Sequence, residues 1–197
     1  GGGYFVPKKP PLNDREKYEE LGGIQYAVRK IKNFENKRIV ISGGGDSALD
    51  WAVNLAPISE NLTLVHRRED FRAAPDTVSK MYKLKDDGLI DLIIGQIKEL
   101  KGKDKLEEIS ISPVGGVETQ SVKCDVLLPF FGLTMKLGPI ANFGINFENN
   151  LIPVDTERFE TSEKSIFAIG DINFYPGKLK LILSGFHEAA LMSQAAH

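Results

Sequence analysis

A short β-branched run that ends in three glycines and leads directly into a helical pattern is the feature that most constrains this fold. The run covers residues 37–42, the glycines occupy positions 43–45, and apolar residues at helical spacing follow. A second apolar run, residues 62–65, ends at His66. The order strand, glycine turn, helix, strand predicts a parallel βαβ unit with a crossover helix.

The rest of the chain extends this unit. Residues 89–94 predict a third parallel strand, and short runs separated by glycines then predict an antiparallel meander over residues 97–100, 106–112 and 118–123. The fold class is therefore α/β, a parallel sheet with crossover helices and an antiparallel β-meander. We also expect the following elements: a helix over 18–32, strands over 125–131 and 165–169, mostly loop over 132–154, and a helix over 184–196.

The glycine turn matches a fingerprint for pyrophosphate binding, Gly43-x-Gly45-x-x-Ala48, with Gly44 between the first two positions. Gly43 permits the tight turn out of the strand, Gly45 permits close approach of the backbone to a phosphate, and Ala48 permits close helix packing. The amides of the helix start face an anion, and Ser47 adds a donor. Asp46 suits a helix start but repels phosphate, so we expect it to cap or point aside. A glycine turn without a ligand is the alternative.

A basic segment follows the second strand and consists of His66, Arg67, Arg68 and Arg72. A site for NAD has Asp or Glu here to bond the ribose 2′-hydroxyl. Guanidinium groups instead grip a 2′-phosphate through paired hydrogen bonds. The alternative is a solvated basic turn in which neighbouring carboxylates order the arginines. Combined with the glycine turn, the pattern favours NADP over NAD.

Composition excludes several other functions. A net charge of −2 gives no reason to expect binding to nucleic acid or an anionic membrane. The single cysteine, Cys124, permits neither an intramolecular disulfide nor a Cys-x-x-Cys pair, and favours a reduced, cytoplasmic protein. The three histidines lack metal-ligand spacing, and no apolar run is long enough to span a bilayer. No Ser/His/Asp or Cys/His nucleophile arrangement is evident.

These motifs, together with a Gly170-Asp171 turn after an apolar run, closely resemble the thioredoxin-reductase-like flavoproteins. The resemblance covers essentially the whole chain. It is closest to one branch, the thioredoxin-reductase-like ferredoxin/flavodoxin–NADP reductases. The segments that carry this closer similarity are residues 43–52, 66–73, 132 with 137–140, and 175–178 continuing to 185–189. By itself, Gly-Asp is also a common turn.

The resemblance implies a fold, a function and a domain plan. The fold would be a Rossmann-like three-layer ββα NADP-binding domain with an antiparallel β-meander, plus the C-terminal part of an FAD-binding domain. Phe5, Gly170 and Asp171 would bind FAD, with Asp171 on the ribityl chain, and NADPH would reduce that flavin for a ferredoxin or flavodoxin. Such proteins are typically homodimers. The implied parts are the end of a first FAD-domain segment and a hinge at 1–12, an NADP-binding domain at 13–123, and the C-terminal segment of the FAD-binding domain at 124–197. Hinge strands are expected near 7–11 and 124–125.

The sequence also departs from the family. The dithiol branch carries Cys-x-x-Cys before the NADP glycines, whereas residues 25–30 contain no cysteine, which excludes the dithiol route to thioredoxin. The family's first Gly-x-Gly-x-x-Gly unit and its flavin-covering tail are missing, so we expect a piece of the complete reductase. Two alternatives stay open: a related flavin oxidoreductase with another acceptor, and a catalytically silent NADP-binding module.

Five further residues are weighed against plainer roles. Trp51 is expected to pack in the core or at a domain contact, and Cys124 to be buried and inert. His187 lies near the start of the last helix and is expected to be a satisfied polar residue, with a general-acid role as the alternative. Lys178 and Lys180 are expected to be solubilising surface lysines, or to steer an acidic protein partner.

Overall fold

The computed structural model describes residues 4–116 and 118–196. Residues 1–3 and His197, which belong to the predicted first and last parts, and Val117 lie outside this description. The strands are β1 (Tyr4–Pro7), β2 (Arg38–Ser42), β3 (Asn61–His66), β4 (Asp91–Lys101), β5 (Glu108–Pro113), β6 (Gln120–Lys123), β7 (Val126–Pro129), β8 (Leu133–Lys136), β9 (Ile152–Pro153) and β10 (Asn173–Phe174). The α-helices are α1 (Arg15–Glu20), α2 (Asp46–Leu55), α3 (Pro75–Asp86) and α4 (Ile182–Ala195).

The chain divides into two compact units. One is Pro7–Gly132, and the other combines the residues before Pro7 with those from Leu133 onward. The predicted boundaries at 12/13 and 123/124 thus lie inside the first unit. The reason is that β7 pairs with β2 in the main sheet, although the sequence interpretation placed residues 126–129 in the C-terminal segment.

The main sheet of the unit Pro7–Gly132 has six strands in the order β6-β5-β4-β3-β2-β7. The neighbouring strands β4, β3, β2 and β7 run parallel to one another. Strands β4, β5 and β6 form the predicted antiparallel meander. One continuous strand, β4, supplies both the third parallel strand and the first strand of the meander, which were predicted as separate strands. Its register shifts between Ile97 and Glu99.

Alternate residues of the parallel strands pack into two separate cores. Ile39 and Ile41 of β2 face a core shared with α2 and α3, whereas Val40 between them faces the other side. There it packs with Ile109 and Ile111 of β5. Because β5 is hydrogen-bonded to β4 in the same sheet, the meander has to curl over the parallel strands to make this contact. The result is the predicted three-layer α/β arrangement.

The predicted helix over residues 18–32 is wrong beyond Glu20. Gly22 has φ of +76°, and the amide of Gly23 donates to the carbonyl of Tyr18 at 2.8 Å. The chain then forms a parallel bridge between Ile24 and Leu127 of β7. The spacing of Ile24, Ala27, Val28 and Ile31 therefore reflects packing of an irregular segment and not a helix.

The second unit contains two small sheets, β1 with β8 and β9 with β10, and the terminal helix α4. The predicted strand over 165–169 is reduced to a single bridge between Glu160 and Phe167. A 3₁₀ turn, Gly170–Ile172, follows directly. The segment predicted as mostly loop contains the short strands β8 and β9 and a 3₁₀ turn at Gly138–Asn142. The predicted final helix is confirmed as α4.

Candidate functional site

The glycine turn after β2 leaves no room for side chains at its first two positions. A Cβ atom on Gly43 would lie 2.7 Å from the carbonyl oxygen of Phe130 and 2.9 Å from Cβ of Ala48. A Cβ on Gly44 would overlap the imidazole ring of His66. These contacts explain Gly43, Gly44 and the small Ala48 by packing alone.

Gly45 is different, because a Cβ there would meet no atom within 4 Å. It occupies the N-cap of α2 and contributes no side-chain cap. The first amides of a helix have no partner inside the helix, so they remain available to an anion. The open space beside Gly45 is what the predicted approach of a phosphate to its backbone requires.

Asp46 points aside, as predicted. Its Oδ1 accepts a hydrogen bond of 2.9 Å from the backbone amide of Ala74, the residue that precedes α3. The carboxylate therefore caps α3 and leaves the start of α2 to the glycines. Ser47 is exposed on the first turn of α2, whereas Ala48 is buried beneath the turn.

The basic segment folds over the glycine turn. The backbone amide of Arg72 donates to the carbonyl oxygen of Gly44 at 2.8 Å, and the side chains of Arg67, Arg68 and Arg72 are exposed. Within the described part of the chain, none of these three guanidinium groups forms an ion pair, so Glu69 and Asp70 do not neutralise them. The geometry thus favours a site for an anion over a self-neutralised basic turn.

His66 is half-buried and held in place from two sides. Its ring stacks on Phe71 with centroids 5.1 Å apart, and its Nε2 lies 3.2 Å from the carbonyl oxygen of Asp70. Burial lowers the pKa of His66, and the arginines of the basic segment act in the same direction. The imidazole is therefore a neutral wall of the glycine turn at pH 7, and the guanidinium groups carry the charge.

A cavity of about 590 Å³ is lined by seven of the ten residues predicted to bind NADP. Its walls are the turn at residues 42–45, the basic segment, residues 10–12, residues 95–97 of β4 and residues 129–132 after β7. The carboxyl ends of β2, β3 and β7 meet there, and the strand order reverses at β2. This is the place where open α/β sheets bind ligands, and the volume suits a nucleotide. Asp46, Ser47 and Ala48 lie outside the cavity wall.

The residues predicted to contact a flavin lie in the other unit. Phe5 is exposed on β1. Gly170 has φ of +78°, a backbone conformation that favours glycine, and it begins the 3₁₀ turn that displays the exposed Asp171. An exposed carboxylate on such a turn can accept hydrogen bonds from the hydroxyls of a ligand.

A buried polar cluster beneath this turn was missed by sequence reasoning. It is formed by Glu188, Lys178, Tyr175 and Asn173, with Glu188 and Asn173 fully buried and the Lys178 side chain 5% exposed. The ammonium of Lys178 forms an ion pair with Glu188. The prediction of Lys178 as a surface lysine is therefore wrong, whereas Lys180 is exposed as expected. The available signal was a single charged residue, Glu188, in an otherwise apolar stretch of helix.

The remaining candidates have plain roles. Trp51 packs against the core beneath α2 and α3. Cys124 is fully buried, and burial raises the pKa of its thiol to about 12, so it is inert as a nucleophile. His187 is exposed near the middle of α4. Residues 4–116 and 118–196 hold no cluster of three side chains suited to a metal, and their helices are too short or too polar to cross a membrane.

Comparison with known proteins identifies relatives along the whole chain. The family model for pyridine nucleotide-disulphide oxidoreductases matches residues 5–192. A ferredoxin–NADP reductase of Parvibaculum lavamentivorans is 59% identical over 197 residues, and one of Nitrobacter winogradskyi is 58% identical over 199. Both alignments cover all of this chain but only 57% of the relative, so the chain spans little more than half their length.

Solved structures agree on the fold. A thioredoxin reductase of Lactococcus lactis aligns with a TM-score of 0.80 and 26% identity, over 98% of this chain and 62% of that protein. A thioredoxin reductase of T. acidophilum aligns with a TM-score of 0.81 over the same shares, and at 20% identity it supports the fold alone.

Proposed function

Since the chain belongs to the pyridine nucleotide-disulphide oxidoreductase family, we propose that it is the NADP-binding and C-terminal flavin-binding part of a ferredoxin–NADP reductase. The observation that carries this proposal is the cavity in which the glycine turn faces three arginines without carboxylate partners in the described chain. The 59% identity to a ferredoxin–NADP reductase supports the choice of reaction.

In this proposal NADPH is the substrate of the cavity. Amides at the start of α2 bind the pyrophosphate, and Arg67, Arg68 and Arg72 bind the ribose 2′-phosphate. His66 and Phe71 form a stacked wall beside the basic segment. The side chains thus orient the nucleotide and neutralise its charge, and none of them exchanges a proton with it.

One feature of the second unit supports the proposal of FAD binding. The Gly170–Ile172 turn presents the exposed Asp171, whose carboxylate oxygens suit the hydroxyls of a ribityl chain. When bound, FAD supplies hydride acceptance and single-electron release, which amino-acid side chains cannot. We further propose ferredoxin or flavodoxin as electron acceptor, a homodimer as the complete reductase, and a cytoplasmic location consistent with the single, reduced Cys124.

One observation favours a second candidate. The chain spans 57% of the ferredoxin–NADP reductases that it matches. The alternative is a nucleotide-binding module that is catalytically silent by itself. A reductase relative with a different acceptor is a further possibility within the same family.

The visible absorption spectrum of the purified chain after mixing with FAD and gel filtration separates these candidates. The reductase proposal predicts retained flavin absorption, and NADPH oxidation that accelerates when ferredoxin or flavodoxin is added. Flavin-free protein that still binds NADPH would instead support the silent module. Equal acceleration by unrelated acceptors, with none by ferredoxin or flavodoxin, would contradict the assigned acceptor.

A further inference from the structure

The most unusual side chain outside the nucleotide cavity is Glu188. It is the only buried residue of α4, a helix whose residues are all described, and its side chain is fully excluded from solvent. Four donors converge on its two oxygens. Oε2 accepts the backbone amide of Gly170 at 2.7 Å and Nδ2 of Asn173 at 3.0 Å. Oε1 accepts the hydroxyl of Tyr175 at 2.9 Å and the ammonium of Lys178.

This arrangement keeps the carboxylate ionised. Burial by itself would raise the pKa of Glu188, but hydrogen bonds from Lys178, Gly170 and Tyr175 outweigh burial and lower it. Buried ion pairs contribute little net stability, because desolvation offsets their attraction, and apolar residues of similar size often replace them without loss. A role in stability alone therefore does not explain this pair.

The four donors to Glu188 come from one short segment of the chain, residues 170–178. Gly170 and Asn173 lie on either side of Asp171, and Tyr175 and Lys178 follow shortly after. The amide of Asn173 also donates to the carbonyl of Gly170, and its Nδ2 donates to the carbonyl of Ala168 at 3.1 Å. Glu188 thus holds both ends of the turn.

Between the two residues that Glu188 holds, the turn is exposed at Asp171. Asp171 is solvent-exposed, and its side chain forms no hydrogen bond within the described residues. The helix approaches closely, since a Cβ on Gly185 would lie 3.6 Å from Cα of Gly170. The Asn173 side chain is oriented only through its nitrogen, because its buried Oδ1 has no partner among the described residues.

We propose that Glu188 is the positioning residue of the flavin site: its carboxylate clamps Gly170 and Asn173 so that Asp171 projects toward the ribityl chain, and Lys178 supplies its counter-charge. This inference rests on the proposed flavin function of Asp171. Glu188 acts through the turn and does not itself touch the ligand.

A matched pair of double variants of the full chain tests this role. Glu188→Gln with Lys178→Met removes both buried charges but keeps an oxygen that accepts the Gly170 amide. Glu188→Leu with Lys178→Met removes the same charges and the acceptor. Glu163→Gln, which neutralises an exposed carboxylate of the same unit, is the control. Thermal unfolding of each protein shows whether the pair has been replaced without global loss.

The first readout is hydrogen exchange at the Gly170 amide, which needs no ligand. The leucine variant is expected to lose protection by about tenfold or more, the factor that one hydrogen bond supplies, whereas the glutamine variant retains it. The second readout is FAD affinity, which is expected to fall by about tenfold in the leucine variant alone. NADPH binding is the internal reference, because its residues lie in the unit Pro7–Gly132.

The outcomes separate the two proposals. Equal Gly170 protection in both double variants would overturn the clamp. Lost protection with unchanged FAD affinity would overturn its link to Asp171. If the unmodified chain binds no FAD, the flavin assignment fails and the link to Asp171 with it, while Gly170 exchange alone still decides whether Glu188 clamps the turn.

Discussion

The guanidinium groups of Arg67, Arg68 and Arg72 carry the strongest functional argument at the scale of single residues. They line one cavity with the glycine turn, and no carboxylate in the described chain neutralises them. An arginine presents a planar fork that matches phosphate oxygens, so three of them at one strand end are suited to a phosphate dianion.

Replacing two of these arginines is expected to change the preference between nucleotides. Arg67→Ala combined with Arg68→Ala should weaken NADPH binding by about 1.5–3 kcal/mol for each lost charge-assisted contact, and should leave NADH binding nearly unchanged. Calorimetric titration with both nucleotides measures the difference. Arg29→Ala, an exposed arginine of the same unit, is the control. Equal losses for NADPH and NADH would refute the 2′-phosphate assignment.

Replacement by alanine is expected to affect two adjacent glycines differently, with stability lowered at one and nucleotide binding weakened at the other. Gly44→Ala inserts a Cβ into the ring of His66 and should lower the free energy of unfolding by about 1–3 kcal/mol. Gly45→Ala meets open space and should cost no more than about 1 kcal/mol, yet it should weaken NADPH binding because the methyl group stands where the phosphate approaches. Chemical denaturation and nucleotide titration of both variants provide the test. Normal NADPH affinity of Gly45→Ala would argue against that approach.

At the scale of elements, an ion pair connects the starts of β2 and β7. Asp125 accepts two hydrogen bonds from the Arg38 guanidinium, at 2.9 and 2.6 Å, and one from the Arg38 backbone amide at 3.0 Å. This contact joins the last strand of the sheet to the strand that carries the glycine turn. The hydrogen bonds to Arg38 lower the pKa of Asp125 from 3.8 to about 2.

The pair predicts a defined pH dependence. Because the folded-state pKa of Asp125 is depressed, its stabilisation is complete above pH 4 and is lost as the pH falls through 2. Asp125→Asn should lower the free energy of unfolding at pH 7 by about 1–2 kcal/mol, allowing for partial solvent exposure. The difference from the unmodified protein should shrink between pH 4 and pH 2. Denaturation measured at several pH values tests this, and a difference independent of pH would contradict the assignment.

Local pattern was sufficient for the part of the cavity that is formed by β2, the glycine turn and the end of β3. The apolar runs of β2 and β3, the glycines and the helix start are all short-range signals, and they predicted a parallel βαβ unit with the basic segment after its second strand. Local pattern failed for residues 18–32, where the spacing of apolar residues resembles that of a helix. There a left-handed Gly22 and a bridge from Ile24 to β7 decide the conformation, and that contact is distant in sequence.

The same limit explains what was missed near Asp171. Lys178 looks like an ordinary surface charge. Glu188 stands alone as the acidic residue of a mostly apolar helix, but local sequence contains no sign that α4 brings these two side chains together. Their burial depends on packing of the helix against the Gly170–Ile172 turn, which only the three-dimensional structure reveals. The prediction for Asp171 came from the family resemblance, since Gly-Asp by itself is also a common turn.

At the scale of the whole molecule, the proposed function gives each compact unit a separate ligand, NADPH for one and FAD for the other. Every wall of the nucleotide cavity comes from the unit Pro7–Gly132, whereas the Asp171 turn and the Glu188 clamp belong to the other unit. The chain spans 57% of the reductases it matches, and NADPH binding is the part of the proposed function that the described cavity supports most directly. In the proposed function, electron transfer to a ferredoxin would depend in addition on a flavin site.

The measurement that tests the central claim most directly is calorimetric titration of the unmodified chain with NADPH and with NADH under identical salt conditions. The account predicts that NADPH binds at least about tenfold more tightly, since a single charge-assisted hydrogen bond is sufficient for that ratio. Equal affinity for the two nucleotides, or no binding of NADPH, would contradict it.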